Sequence, residues 1–549
     1  MGKRIGIDLG TTYSCVSYVD DTGMVRICDN QEGEQTTPSV VFFDPNGENV
    51  VVGSMARSEG ALNPENIVER VKNFMGDPNY KFFANGTEFS AAAVSTLILK
   101  KLITDAESAL GEQVDGVVIT CPAYFGEEAR NATKFAGENV VLDGDRHVEV
   151  LKIMDEPTAA AIAYAHEKAG NMKKQVLIYD LGGGTFDCTV LNIDYATDKK
   201  SLQVICTDGN HQLGGKDWDA ALADYIRNEF VSKHPEISVD DMENDPECRA
   251  WFSENIEKAK KALTNRESTF LIPSFNGVKE KIEITRAKFD ELTESLLQET
   301  VDLVDKMLSE KGLTMEKDID EIILVGGSTY MPQVKTKLEM YQKPLGQFEP
   351  NKAVAMGAAL IANQVLSIAD VENLKKEAEE KGQDTNQFRV GCLTAGNDAP
   401  EIHEICTKSY GFRFFDGKEK KYMVQNIIKK GMDKPTSGKD PFPDDGLSLS
   451  TDPKMLDSVD IYILENDSLE DVVPLEECVE IYKPEPVKLD TPLPGDAFIH
   501  IQIEIDANGI ISFSLTEVAT GRSYHAIPKR LSEDANKAGA EEVAKMSLM

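Results

Sequence analysis

A chain of 549 residues is too long for one core, so two to four domains are expected. Its formal net charge of -36 argues against non-specific binding to nucleic acid or to an anionic membrane surface, and no apolar run approaches the ~18 residues of a membrane span. Nine cysteines with no C-x-x-C pair read as free thiols in a reducing compartment, and the seven histidines show no metal-ligand spacing.

The chain opens on "RIGIDLGTTYSCV", residues 4–16: an apolar strand, Asp8, a turn of glycine and threonine, and a second strand. It reads as a hairpin and not as a secretory signal. Lys72, in "VERVKNFMG", is on residues alone one lysine of many. A helix over "AAAVSTLILKKLITDAESAL" and a strand over "GVVITCPAYF" follow. "DEPTAAAIAYAHEKAG" is then a helix with Pro157 in its first turn and Gly170 at its end. Glu156 stands at that helix start, where it is either a first-turn acid or a carboxylate that positions water.

"VLIYDLGGGTFD", residues 176–187, repeats the opening hairpin, with Asp180 matching Asp8. Repetition at so large a spacing means a duplicated domain, with two lobes that each offer a hairpin to a shared cleft. A largely helical block covers 215–310, entered through the tight turn "LGGKDWD". "DEIILVGG" is a buried strand that ends in a third glycine turn, and "NKAVAMGAALIANQVL" is a small-residue helix. The charged stretch "ENLKKEAEEKGQDTNQ" marks a boundary. The division expected is a first domain over 1–370, a linker over 371–395, an all-β domain over 396–530 and a tail over 531–549 with at most one short helix. In "AFIHIQIEIDANGIISFSLTEV" isoleucines alternate with polar residues on both sides of an Asn-Gly turn, so this is a hairpin with one face buried.

Glycine turns let backbone N–H groups approach a ligand with no Cβ in the way, and successive N–H groups make an anion nest. Two such nests facing each other grip a polyphosphate from both sides. Asp8 and Asp180 would then oppose the phosphates, which requires a divalent cation between them, and Mg²⁺ held through water fits. One such turn is also an ordinary hairpin; two matched copies with paired aspartates call for a common purpose.

"IGIDLGTTYSCV", "VVITCPAYFGEEAR", "DEPTAAAIAYA", "YDLGGGTFD", "LGGKDWD", "IILVGGST" and "AVAMGAAL" occur in the order found in the 70-kilodalton heat-shock chaperone family. The resemblance covers 1–366 and continues more faintly to about 530. It implies an α/β fold: a duplicated actin-like (ribonuclease-H-like) ATPase domain of two lobes, followed by a β-sandwich that binds substrate peptides. ATP or ADP with Mg²⁺ is the implied ligand set. Gly10, Thr11, Thr12 and Tyr13 resemble the first phosphate loop, and Gly182, Gly183, Gly184 and Thr185 the second. Asp8 and Asp180 resemble the carboxylates that hold Mg²⁺ through water. Lys72, Glu156, Thr185 and Asp187 fall on catalytic positions. Gly214, Gly215, Glu257, Lys260, Lys261, Thr264, Gly326, Gly327, Ser328 and Tyr330 fall on nucleoside contacts. Pro122 and Arg130 match positions that relay nucleotide state, and Phe412 and Phe414 are candidates for the peptide pocket, with core packing as the competing role.

Departures from the family pattern are Tyr330 and Lys261 in place of arginines, Asn351 in place of an aspartate, and Lys152 where an arginine helps receive a J-domain partner. The usual apolar linker is not recognisable in 381–395, and no helical lid follows the β-domain. The resemblance therefore implies a cytoplasmic, monomeric ATP-hydrolysing chaperone for extended apolar segments, only weakly coupled between its domains. J-domain and nucleotide-exchange proteins are the implied co-chaperones. The rival reading is a nucleotide-binding scaffold or co-chaperone that has lost turnover and acts through a fixed partner.

Overall fold

The computed structural model describes residues 2–45, 49–60, 63–168, 172–196, 200–380, 400–442, 446–448, 454–482, 487–506, 509–526 and 531–548. Lys3–Asp8 and Tyr13–Val19 form an antiparallel hairpin with Asp8 opposite Cys15. Lys173–Leu181 and Phe186–Asp194 form a second, with Asp180 opposite Asp187. Each first strand also has a parallel neighbour on its other side, Val114–Cys121 in one lobe and Glu321–Val325 in the other. Asp8 and Asp180 thus close their strands at the carboxyl end of locally parallel pairs, the end where α/β sheets bind ligands.

The lobes meet over two helices, Glu156–Glu167 and Ala353–Ala362, which share one core with both sheets. Their small residues are a packing requirement. A Cβ on Gly357 would lie 1.8 Å from the Ala159 carbonyl oxygen, and one on Gly6 would lie 2.1 Å from the Ala359 nitrogen. The predicted Gly170 stop falls outside the described residues. Among the described residues, no helix is long and apolar enough to cross a membrane.

In the β-domain the expected hairpin pairs Phe498–Ile505 with Ile511–Glu517. Ile499, Ile501, Ile503 and Ile505 are buried against Ile511, Phe513 and Leu515, so the period of two turns one face inward.

Three boundaries differ from the expected ones. Ile368–Glu380 is a helix that runs ten residues into the expected linker, whose remainder, 381–395, lies outside the described residues. Glu401–Ile405, placed by sequence in the β-domain, instead joins the sheet of the second lobe, parallel to Ser201–Asn210, and Asp433–Lys434 pairs with it in turn. The open edge of that lobe offers it hydrogen-bond partners that the local sequence does not reveal. The tail holds two short helices, Leu531–Asn536 and Ala540–Lys545, and a strand at Ser547–Leu548. Gly539, at φ 77°, is the break between the helices.

Candidate functional site

Between the lobes lies a cleft of about 950 Å³. Its walls include Asp8, Gly10, Thr11, Thr12, Tyr13, Lys72, Glu156, Asp180, Gly182, Gly183, Gly184 and Thr185, and further out Gly215, Glu257, Lys260, Lys261, Thr264, Gly326, Gly327, Ser328 and Tyr330. Gly214 stands just behind, packed on Gly184, and Asp187 lies buried beside the second loop.

The two glycine turns face each other closely. A Cβ on Gly183 would sit 2.3 Å from Thr12 Oγ1, and one on Gly184 would sit 2.7 Å from Thr11 Cγ2. Only glycine allows that approach. The second turn is braced from behind by the helix Gly215–Lys233: the Gly215 and Lys216 N–H groups donate to the Gly182 and Gly183 carbonyls at 3.0 and 2.9 Å. Ser328 Oγ donates to the Gly182 carbonyl at 2.8 Å. In the first turn, Ser39 Oγ donates to the Gly10 carbonyl at 2.7 Å. Thr12 Oγ1, by contrast, is buried and has no partner among the described residues.

Lys72 sits on the short 3-10 turn Val71–Phe74, is 5% exposed, and its ammonium donates to the Glu156 carboxylate. Burial alone would lower its pKa, but Glu156 and Asp8 outweigh burial and the net direction is up. The carboxylates show the converse. Burial, with Glu156 nearby, pushes Asp8 up to about 7 and Asp187 up to about 8, and Asp180 rises well above its ordinary value. Four acids converge on one lysine, so the site is short of positive charge. A divalent cation beside Asp8 and Asp180 fits that deficit. Among the described residues, no three His, Cys, Asp or Glu side chains are close enough to ligate a metal directly.

Toward the mouth, Lys260 Nζ bonds the Gly215 carbonyl at 2.8 Å and Asp219 at 2.7 Å. Tyr330, 41% exposed and on the cleft wall, donates to Asn351 Oδ1 at 3.2 Å, so two of the departures from the family pattern meet each other. Sequence reading missed Arg57. Its guanidinium donates to Tyr13 Oη at 3.1 Å and to Glu257 at 3.3 Å, and Tyr13 Oη also donates to Glu257 at 3.0 Å, which ties the lobes across the cleft. No local signal marks it, because its partners lie 44 and 200 residues away.

Of the two peptide-pocket candidates, Phe412 is corrected: at 1% exposed it belongs to the β-domain core. Phe414 borders that core, and Phe442 packs against both rings at 6.1 and 6.0 Å between centroids. Arg130 pairs with Asp155, the residue before Glu156, in full burial. Lys434 of the β-domain side lies 3.7 Å from Asp155 and 3.9 Å from Glu404.

A family model described as Hsp70 protein matches residues 4–84 and 77–377. Over 401 residues the chain is 39% identical to the proteins named Chaperone protein DnaK of Thermotoga petrophila, Thermotoga maritima and Thermotoga neapolitana. Those alignments cover 71% of this chain and 63% of each relative, so the match spans less than two thirds of the relatives' length.

Proposed function

This chain belongs to the Hsp70 family, and from that premise we propose that it binds and hydrolyses ATP in the cleft between its lobes and acts as a chaperone on extended apolar polypeptide segments. The observation that carries the reading is the meeting of the two glycine turns beside a buried Lys72–Glu156 pair, with Asp8 and Asp180 at the strand ends. The turns would grip phosphates through backbone N–H groups, and the orphaned Thr12 hydroxyl would find its partner there. Lys72 would stand against the terminal phosphate, while Glu156 and Asp187 would orient the attacking water. Asp8 and Asp180 would hold Mg²⁺, which when bound supplies charge neutralisation at the phosphate oxygens. Tyr330, Lys260, Lys261, Glu257 and Thr264 would take the nucleoside.

The β-domain would bind peptide by main-chain hydrogen bonds and a side-chain pocket bordered by Phe414. Sequence reading expected weak coupling for want of a lid and of the usual linker. The strand Glu401–Ile405 and the contacts of Lys434 with Asp155 and Glu404 support a physical connection that ends one residue from Glu156. Clients would be unfolded chains in the cytoplasm, with J-domain and exchange proteins as co-chaperones. Lys152, where the family receives the J-domain, is 8% exposed. One observation favours the rival scaffold reading: Lys72 and Glu156 are engaged with each other, and both must serve phosphate and water for turnover.

A ligand that bridges two lobes raises their stability. At 100 times its dissociation constant, Mg-ADP adds about 2.7 kcal/mol. Calorimetry of the full chain at millimolar Mg-ADP and Mg-ATP checks this. An unmoved transition contradicts nucleotide binding.

A further inference from the structure

The cleft does not end at the nucleoside contacts. Two helices of the second lobe, Gly215–Lys233 and Pro246–Asn265, run antiparallel along its wall. Lys260 meets Asp219 at 2.7 Å on one rung, and the Arg227 guanidinium lies over the Phe252 ring at 4.6 Å on another. From 219 to 227, and from 252 to 260, each helix rises about 12 Å. Between the rungs the wall is made of small side chains, Ala220, Ala223 and Ser253, which leave an annexe open to the cleft. Its outer end carries Arg227 and Arg249, and Arg70 lines the cleft from the first lobe. Beyond Asp219 and Glu257, neither helix gives the cleft a carboxylate among the described residues. Glu69, on the first lobe, is engaged by Arg57 at 3.7 Å.

The charge of the annexe is opposite to that of the cleft base, where acids converge on Lys72, and to that of the whole chain at -36. Its arginines are also under-used. Arg227 Nη1 bonds the exposed Asp224 and Glu243 at 3.0 and 3.3 Å, but its Nε is buried with no partner among the described residues. Arg249 has no side-chain partner among them. Arg70 is held at φ 55°, in the left-handed region that few residues other than glycine adopt, and such strain gathers at ligand sites. At the inner rung, Asp219 Oδ1 is buried with no partner. Burial raises that carboxyl, and Lys260 and Arg70 oppose the rise. A free acceptor beside Lys260 fits a ribose hydroxyl. We propose that the annexe is an anion subsite opening off the ribose, and that the cleft takes adenine nucleotides carrying a second phosphate or diphosphate on a ribose hydroxyl, in addition to the 5′ chain. The 5′ phosphates would lie between the glycine turns and the remaining ribose hydroxyl would donate to Asp219. The second phosphate group would enter past Ala220, Ala223 and Ser253 and meet Arg227, Arg249 and Arg70. Guanidinium–phosphate bonds are charge-assisted and suit a planar, two-point grip. The subsite deepens the nucleotide reading and rests on it.

Calorimetric titration of the full chain in Mg²⁺ tests it with three compounds: ADP, adenosine 5′-diphosphate 3′-diphosphate, and adenosine 5′-tetraphosphate, which carries as many phosphates as the second compound but on one chain. The 3′-diphosphate should bind about tenfold tighter than ADP or more, as expected of hydrogen bonds to a charged group. Two variants locate the gain. Arg249→Ala removes a donor, and Ala220→Leu narrows the annexe from an exposed position without entering the core. Each should abolish most of the gain and leave ADP binding unchanged, which also shows that the variant is folded. A 3′-diphosphate that binds within about twofold of ADP overturns the subsite and leaves the nucleotide reading standing. A gain that survives both variants lies elsewhere in the cleft and overturns it too. So does an Arg249→Ala loss shared equally by the 5′-tetraphosphate, which marks general attraction between charges. If ADP itself does not bind, the nucleotide reading fails first and the subsite falls with it.

Discussion

Replacing Lys72 with alanine lowers ATP turnover by about 100-fold or more, while nucleotide still binds. Removing one preorganised electrostatic group from a water-poor site costs a factor of that order. Lys72 is such a group: it is buried, is held by Glu156, and sets its ammonium against Asp8, Asp180 and Asp187 at the base of the cleft. Binding survives because the glycine turns and the nucleoside contacts do not depend on it. The check is single-turnover hydrolysis alongside calorimetric titration of Mg-ATP. Turnover unchanged within about twofold contradicts a catalytic role for Lys72. Lost binding contradicts the division of labour between Lys72 and the loops.

The second large effect lies at the junction of the domains. Arg130→Ala is expected to cost about 3–5 kcal/mol, because it takes the hydrogen-bonded cation from a buried carboxylate and leaves it with Lys434 at 3.7 Å. Arg130 and Asp155 are each 4% exposed, and the same guanidinium bonds the carbonyls of Phe125 and Ala123 at 2.9 and 3.2 Å. The turn at Gly509 in the β-domain also rests on its aliphatic stem, where a Cβ would lie 3.0 Å from Arg130 Cδ. Lys434→Met should cost less, since Arg130 still compensates Asp155. The double variant should be non-additive by about 0.5–3 kcal/mol, because the residues share one network. Denaturant unfolding of the full chain measures all three. A loss under about 1 kcal/mol for Arg130→Ala contradicts the burial of this pair.

How much of this was legible in the sequence depends on what each feature needs. The duplicated hairpins were legible because alternation, an aspartate and a glycine turn are local, and the copy at 176–187 repeats the one at 4–16. The β-domain hairpin around 498–517 was legible for the same reason. Lys72 was not: its turn has no pattern of its own, and only the family resemblance singled it out. Arg57 was invisible, since its role exists only once the chain brings Tyr13 and Glu257 to it. "EIHEI" at 401–405 reads as a polar strand, and nothing in five residues says which sheet it joins. The tail failed for a related reason. Two six-residue helices are too short to stand alone, so their stability comes from the lobe that receives Val543 and Met546.

The most direct measurement is a single turnover of radiolabelled ATP, with the full chain in excess, in Mg²⁺ and again in EDTA. The account predicts that bound ATP is converted to ADP and phosphate in Mg²⁺ and is left intact in EDTA. ATP that binds in Mg²⁺ yet stays intact would contradict it and make the cleft that of a nucleotide-held scaffold.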